Sequence, residues 1–244
     1  MKGLIAAAGL GTRLQDLGDR RNKVLLDLGG ESILSTILTH FEQAGLSDTL
    51  VTVGFDAPAV RSACAGRARC LLNPFFEHHG ILGSVWLARP LLDGSPFVFT
   101  TGDHYFALAR LRAFLAEQPE ADILVDVEIK DCDDEDMKVF LNRAGKLRTI
   151  SKTFLPGPVL GELTGLVRFS AEGSTQFFDA LEKYVWQHGI EGYVADVLCA
   201  AHRKWELAFH LSAAHDRVEV DFPCDLTRAR LLYSQHRHPS KQTG

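Results

Sequence analysis

The chain opens on an apolar strand signal, Gly3–Ala8, that runs directly into Gly9-Leu10-Gly11-Thr12-Arg13. A short apolar run closed by two glycines suits a buried strand that ends in a tight turn. Successive backbone amides of such a turn can point at an anion, and Arg13 adds a planar cationic fork. Lys23 follows just ahead of the apolar Val24-Leu25-Leu26. The same residues also suit a plain strand-to-helix turn with two solvated cations. Two common phosphate motifs are excluded. The G-x-x-x-x-G-K-[ST] loop is absent, and Leu14 stands where the G-x-G-x-x-G fingerprint needs its third glycine.

The rest of the chain fits that opening. Strand signals at Thr49–Val53, Arg69–Leu72 and Pro96–Thr101 alternate with helical ones at Ser32–Ala44, Ala57–Cys64 and Gly83–Leu92. Strands separated by helices imply a parallel sheet with right-handed crossovers, and ligands bind such sheets beyond the carboxyl ends of the strands. After Ala107–Glu117, read as a helix, the pattern turns to β: Asp122–Glu128, a hairpin of Met137–Leu141 and Lys146–Ser151, and Leu163–Phe169. Gly173–His188 and Gly192–Ala201 read as helices, Leu207–Leu211 and Arg217–Val220 as late strands, and Asp225–Gln235 as a closing helix. The fold class is therefore α/β: a Rossmann-like open, mostly parallel sheet with helices on both faces and a small β-rich elaboration. Residues 1–236 read as one domain, with a first half at 1–106 and a second at 107–236, and residues 237–244 as a frayed tail.

Charge and cysteine content narrow the function. The 244 residues carry 26 lysines and arginines against 31 aspartates and glutamates, a net charge of −5. That balance argues against nucleic acid as a partner, which needs a net basic surface. No apolar stretch reaches the roughly 18 residues of a membrane span. The apolar opening ends at the glycines and Arg13, short of a secretion signal. Five scattered cysteines without a C-x-x-C match a reducing, cytoplasmic setting rather than a disulfide scaffold or zinc ribbon. A homodimer is the expectation for a soluble enzyme.

Ala6-Ala7-Ala8-Gly9-Leu10-Gly11-Thr12-Arg13-Leu14 with Lys23-Val24-Leu25-Leu26 resembles the signature of the sugar-phosphate nucleotidyltransferases and their cytidylyltransferase relatives. Members usually carry a proline beside the lysine, where this chain has Asn22. Three further segments resemble the family in order: Asn73-Pro74 with Gly83-Ser84, then Thr101-Gly102-Asp103-His104, and Glu219 through Leu226. The resemblance implies transfer of a nucleotide from a nucleoside triphosphate, CTP favoured, to a small phosphorylated or phosphonate acceptor, with release of pyrophosphate. Attack of one anion on another makes positioning and charge neutralisation the central tasks. It implies that Ala7, Ala8, Gly9, Leu10, Gly11, Thr12 and Gly102 hold the nucleotide, with Asn73, Gly83 and Ser84 at its base. Arg13 and Lys23 would be catalytic. Asp103 and Asp221 would hold Mg²⁺ or Mn²⁺, since hard cations take carboxylate and phosphate oxygens. Without the resemblance, Asp103 also suits a strand-end turn and Asp221 an N-cap, although Asp225 is better placed to cap the last helix.

The acceptor is less constrained. The order of motifs from Val127 to Ser170 resembles choline-phosphate and aminoalkylphosphonate cytidylyltransferases, whereas Thr101–His104 is closer to the inositol-phosphate group. Lys138 and Lys152 are candidate clamps for the acceptor's anion, and Tyr105, Glu162 and Asp196 are candidates for an amine. A sugar-1-phosphate or inositol-1-phosphate acceptor is the alternative, and a non-catalytic nucleotide-binding subunit is the alternative of another class.

Overall fold

A computed structural model describes residues 1–11, 21–202 and 204–237. Thr12 and Arg13 lie outside the described residues, as does the tail beyond Arg237. The first strand, β1 (Lys2–Ala7), sits inside the sheet with β2 (Asp48–Val53) and β4 (Phe97–Thr101) parallel on either side, and β3 (Arg69–Leu72) extends β2 in parallel. Leu4 and Ile5 are both fully buried but belong to two different core clusters, as expected for successive residues of a strand covered on both faces.

Helices supply the two covers. One face is packed by α1 (Ile33–Gln43), α2 (Ala57–Cys64), α4 (Leu108–Ala116) and α7 (Pro223–Arg237). The other is packed by α3 (Ile81–Leu92), α5 (Ala171–His188) and α6 (Val194–Ala201). Local chemistry sets their ends. Ser32 accepts a hydrogen bond from Ser35 N and Ser170 from Gly173 N, which satisfies amides that a helix start otherwise leaves unpaired. α1 buries Ile33, Leu34, Ile37, Leu38 and Phe41, the single face that their spacing predicts.

The second half joins the same sheet through an antiparallel strand. β9 (Val159–Phe169) lies between β4 and β6 (Ile123–Ile129) and runs against both, while β10 (Leu207–Ala213) is parallel to β6 at the far edge. β7 (Lys138–Leu141) and β8 (Leu147–Ser151) form the expected hairpin, attached to β9. The mostly parallel expectation thus holds for the first half and for β6–β10, with β9 and the β7–β8 hairpin as antiparallel exceptions. β9 also starts earlier than its apolar residues suggest. Its Gly161 lies so close to β6 that a Cβ there would stand 2.2 Å from the Glu128 carbonyl oxygen.

One element was not legible as a periodic signal. β5 (His104–Phe106) pairs antiparallel with β11 (Arg217–Glu219), three residues each. This small ribbon carries the chain's late acidic segment back to the end of β4. The final helix begins at Pro223, not after Asp225, so Asp225 sits in its first turn and reaches back to accept from Phe222 N at 2.9 Å.

The core beneath β4 is aromatic. Phe97 stacks on Phe169 at 4.5 Å between centroids and on Phe178 at 5.9 Å, all fully or nearly fully buried. Phe97→Ala is expected to cost about 3–5 kcal/mol by removing a packed ring and leaving a cavity. Phe75→Ala, at an exposed position, should cost under about 1 kcal/mol. Urea denaturation of both variants checks this; equal losses would contradict the packing described.

Candidate active site

The carboxyl ends of β1 and β4 open into a cavity of about 850 Å³. Ala7, Ala8, Gly9 and Gly11 line it, as do Lys23, Asp103 and Asp221. Gly11 has φ +58°, the left-handed region that the loop turn requires and glycine takes freely.

Three distant parts of the chain meet at Lys23. A short 3-10 turn, Lys23–Leu25, is capped by Asn22, whose side chain accepts from Val24 N and donates to Ala7 O at 2.8 Å and Phe55 O at 2.9 Å. Asn22 therefore fixes the start of this turn against the end of β1. Asp103 follows Gly102, whose amide donates to Ala6 O. A Cβ on Gly102 would meet Ala6 O and Val24 Cγ1 at 2.9 Å, so the residue type is set by close approach. Asp221 follows β11, which is tied back by Val220 N donating to Asp103 O. Asp225 also accepts from Asp221 N.

The result is one ammonium between two carboxylates. Lys23 Nζ lies 2.7 Å from Asp103 Oδ2 and 2.9 Å from Asp221 Oδ1. Burial disfavours the charge on Lys23, but Asp103 and then Asp221 outweigh it and hold the ammonium above the ordinary lysine value. Burial likewise works against an ionised Asp103, but Lys23 and then His104 outweigh it and hold the carboxyl well below the usual range. Lys23 and Asp103 are thus both ionised near neutral pH.

A second charged layer lines the cavity beside β6 and β9. Lys130 pairs with Asp136 at 2.9 Å and Glu162 at 3.1 Å. Arg217 pairs with Glu162 at 2.6 Å and Glu128 at 3.3 Å. Behind them, the buried Arg110 contacts Asp126, Glu128 and Asp216. Glu128, Lys130, Arg217 and Glu219 were not singled out from sequence. Their signal was present: charges alternate with Val127, Ile129, Val218 and Val220 on strands, which puts charged and apolar residues on opposite faces.

Several expected site residues have other work. Lys138 is fully buried, donates to Asp136 O and Lys152 O, and lies 4.3 Å from the Phe154 ring centroid. It ties two loops together and does not line the cavity. Tyr105 is 2% exposed and its hydroxyl meets His236 Nδ1 at 2.8 Å, behind the ribbon rather than in the cavity. The Asp196 carboxylate accepts from Tyr193 N at 2.7 Å and caps α6. Lys152 and Glu162 do line the cavity. Asn73 is buried, donating to Ser84 Oγ and accepting from Phe75 N, and so shapes the wall on which Ser84 is presented. Gly83 gives room for His79, which a Cβ would meet at 2.7 Å.

The model of the MobA-like NTP transferase domain matches residues 3–172, and the chain belongs to that family. CMP-5'-(3-aminopropyl)phosphonate synthase of Streptomyces rubellomurinus is 28% identical over 268 residues, covering 99% of this chain and 40% of that protein. The chain spans less than half the length of the curated relatives it matches. Among solved structures, the inositol-1-phosphate CTP transferase from T. maritima superposes with a TM-score of 0.78 at 18% identity, over 97% of this chain and 96% of that one. CTP:phosphocholine cytidylyltransferase from Streptococcus pneumoniae gives 0.76 at 16% identity, over 95% and 98%. At these identities the likeness establishes the nucleotidyltransferase α/β fold.

Asn22→Ala removes three hydrogen bonds and strands two buried or half-buried carbonyls. A stability loss of about 2–4 kcal/mol is expected by urea denaturation. A loss below about 0.5 kcal/mol would contradict the role given to Asn22.

Proposed function

We propose that the protein is a nucleotidyltransferase that moves CMP from CTP to a small phosphoalcohol or alkylphosphonate bearing an amine. The carrying observation is the Lys23 ammonium held between Asp103 and Asp221 at the mouth of the glycine loop. An acceptor oxygen attacks the α-phosphorus, and the bond from that phosphorus to the bridging oxygen breaks as pyrophosphate leaves. Both reactants are anions, so no proton need be moved, and fixed cations carry the task. Lys23 is assigned to the α-phosphate and the incoming oxyanion. The amides of the loop at Gly9, Leu10 and Gly11, with Thr12, are assigned to the β- and γ-phosphates, and Arg13 to the departing pyrophosphate.

The residues present fit a hard divalent cation. Asp103 Oδ1 is buried with no hydrogen-bond partner among the described residues. Carboxylate oxygens are what Mg²⁺ or Mn²⁺ prefers. Asp103 and Asp221 would hold it, and when bound it would neutralise triphosphate charge. Lys23 then holds both carboxylates in place before the nucleotide arrives.

An amine on the acceptor is favoured by the second charged layer. Among the described residues, the carboxylates of Glu128, Asp133, Glu135, Asp136 and Glu162 line the cavity together with the cations of Lys130, Lys152 and Arg217. The aminopropylphosphonate relative, which aligns over nearly the whole chain, supports the same choice. A polyol phosphate is the second reading, favoured by the fold's likeness to the inositol-1-phosphate enzyme.

Pyrophosphate release is the test, with each of the four nucleoside triphosphates against aminoalkylphosphonates, phosphocholine, and inositol and sugar 1-phosphates. CTP with an amine-bearing acceptor is expected to give the highest kcat/KM. Nucleotide-induced thermal stabilisation without product from any pair would instead identify a non-catalytic binder. Asp103→Asn and Lys23→Met are each expected to lower kcat by about 10²–10³-fold, the scale on which a preorganised charge acts; turnover within threefold of the parent would contradict their roles.

A further inference from the structure

Cys64 is the last residue of α2, and Cys70 lies on β3 a short turn later. Side chains alternate along β3, so Cys70 packs against the core cluster that α2 covers, while Leu71 packs against the opposite one. A tight turn folds the strand back onto the helix end. Ala65 and Gly66 take φ +48° and +78°, the first a conformation that a residue with a Cβ seldom adopts. Within it, Arg67 N donates to Cys64 O at 2.8 Å. The Arg67 side chain pins the turn to α1 through Ser35 Oγ at 2.9 Å and Thr39 Oγ1 at 3.1 Å. The two cysteine sulfurs are thereby held 3.6 Å apart, in van der Waals contact.

The two thiols differ in access. Cys64 is buried and Cys70 is half-buried. A reagent in solution therefore reaches Cys70 first, with Cys64 directly behind it. Burial, and then the neighbouring Cys70, hold the Cys64 thiol above the ordinary cysteine value, although Arg67 works the other way. Cys64 thus waits as a neutral thiol. The other cysteines are placed differently. Cys132 meets Lys130 O, Cys199 accepts from Ile150 N at 3.0 Å, and Cys224 is exposed beside Asp225.

We infer that Cys64 and Cys70 form a reversible thiol–disulfide site, oxidised by a small-molecule disulfide of the glutathione class. Cys70 gives up its proton and its sulfur attacks one sulfur of the reagent, whose S–S bond breaks and releases one thiol. Cys64 then gives up its proton and attacks the Cys70 sulfur of this mixed disulfide, which releases the second thiol. The pair loses two hydrogens and the reagent gains them. Because the sulfurs are in contact, the second step is intramolecular and outruns attack by any thiol from solution. In a reducing setting the pair stays as thiols and closes only on oxidation. Closure ties the end of α2 to the strand that leads into Asn73, the residue that donates to Ser84 in the cavity wall. The site does not require the nucleotidyl-transfer reading.

The test is oxidation of the full-length protein with excess oxidised glutathione at mildly alkaline pH, then alkylation of the remaining thiols and peptide mass mapping. Cys64 and Cys70 are expected joined to each other, unlabelled and lighter by about 2 Da, and dithiothreitol should restore both labels. Exposed Cys224 should keep the reagent as a mixed disulfide, which marks the extent of reaction. In Cys64→Ser the reagent should remain on Cys70, and in Cys70→Ser the oxidation of Cys64 should be slower than that by about tenfold or more. Circular dichroism confirms that both variants are folded; if either is not, the map of the unmodified protein decides alone. The inference is overturned if both thiols take full label once Cys224 has reacted, if Cys70 of the unmodified protein retains the reagent, or if either sulfur is joined to a different cysteine. None of these results bears on pyrophosphate release, so this failure is separate from failure of the proposed reaction.

Discussion

One half-buried ammonium organises this molecule's functional end. Lys23 bridges Asp103 and Asp221, residues that come from the turn after β4 and the segment after β11. Without a cation between them, two carboxylates this close would repel in a site partly shielded from water. Backbone contacts and two side chains, Asn22 and Asp225, hold the three residues in place. Asn22 fixes the lysine's turn to β1, Gly102 lets the aspartate's turn approach Ala6, and Val220 N returns the last segment to Asp103. The two carboxylates are thereby kept close, on either side of the ammonium.

The second charged layer links that cluster to the rest of the cavity. Arg217 on β11 reaches Glu162 on β9 and Glu128 on β6, so the ribbon carrying Glu219 and leading to Asp221 is also anchored to the central sheet. Arg110 on α4 supports Glu128 from behind. Buried networks of this kind add little net stability over an apolar core, but they are costly to break and fix which groups face the cavity. Here they set carboxylates and cations side by side along the cavity wall.

Much of this was legible in the chain. The apolar run Gly3–Ala8 with its glycines gave the first strand and its ligand loop, and the helical face of α1 was readable from Ile33 to Phe41. Lys23, Asp103 and Asp221 were named from motif order, and the structure brings them into direct contact. What escaped was non-local. His104–Phe106 is too short for periodicity, and its partner lies over a hundred positions away, so pairing alone defines it. Lys138 read as a candidate clamp for the acceptor's anion, yet two loop carbonyls and the Phe154 ring enclose it, a burial that lysine seldom shows. Asp196 and Tyr105 had suitable chemistry, but a helix start and a core contact with His236 claimed them.

The measurement that bears most directly on this account is a double-mutant cycle between Lys23→Met and Asp221→Asn, read as unfolding free energy in urea. If the ammonium gathers the two carboxylates as described, the two changes are coupled by about 1–3 kcal/mol, with the double variant more stable than the sum of the single losses implies. Additivity within about 0.3 kcal/mol would contradict it, and would mean that Lys23 and Asp221 are neighbours without being partners.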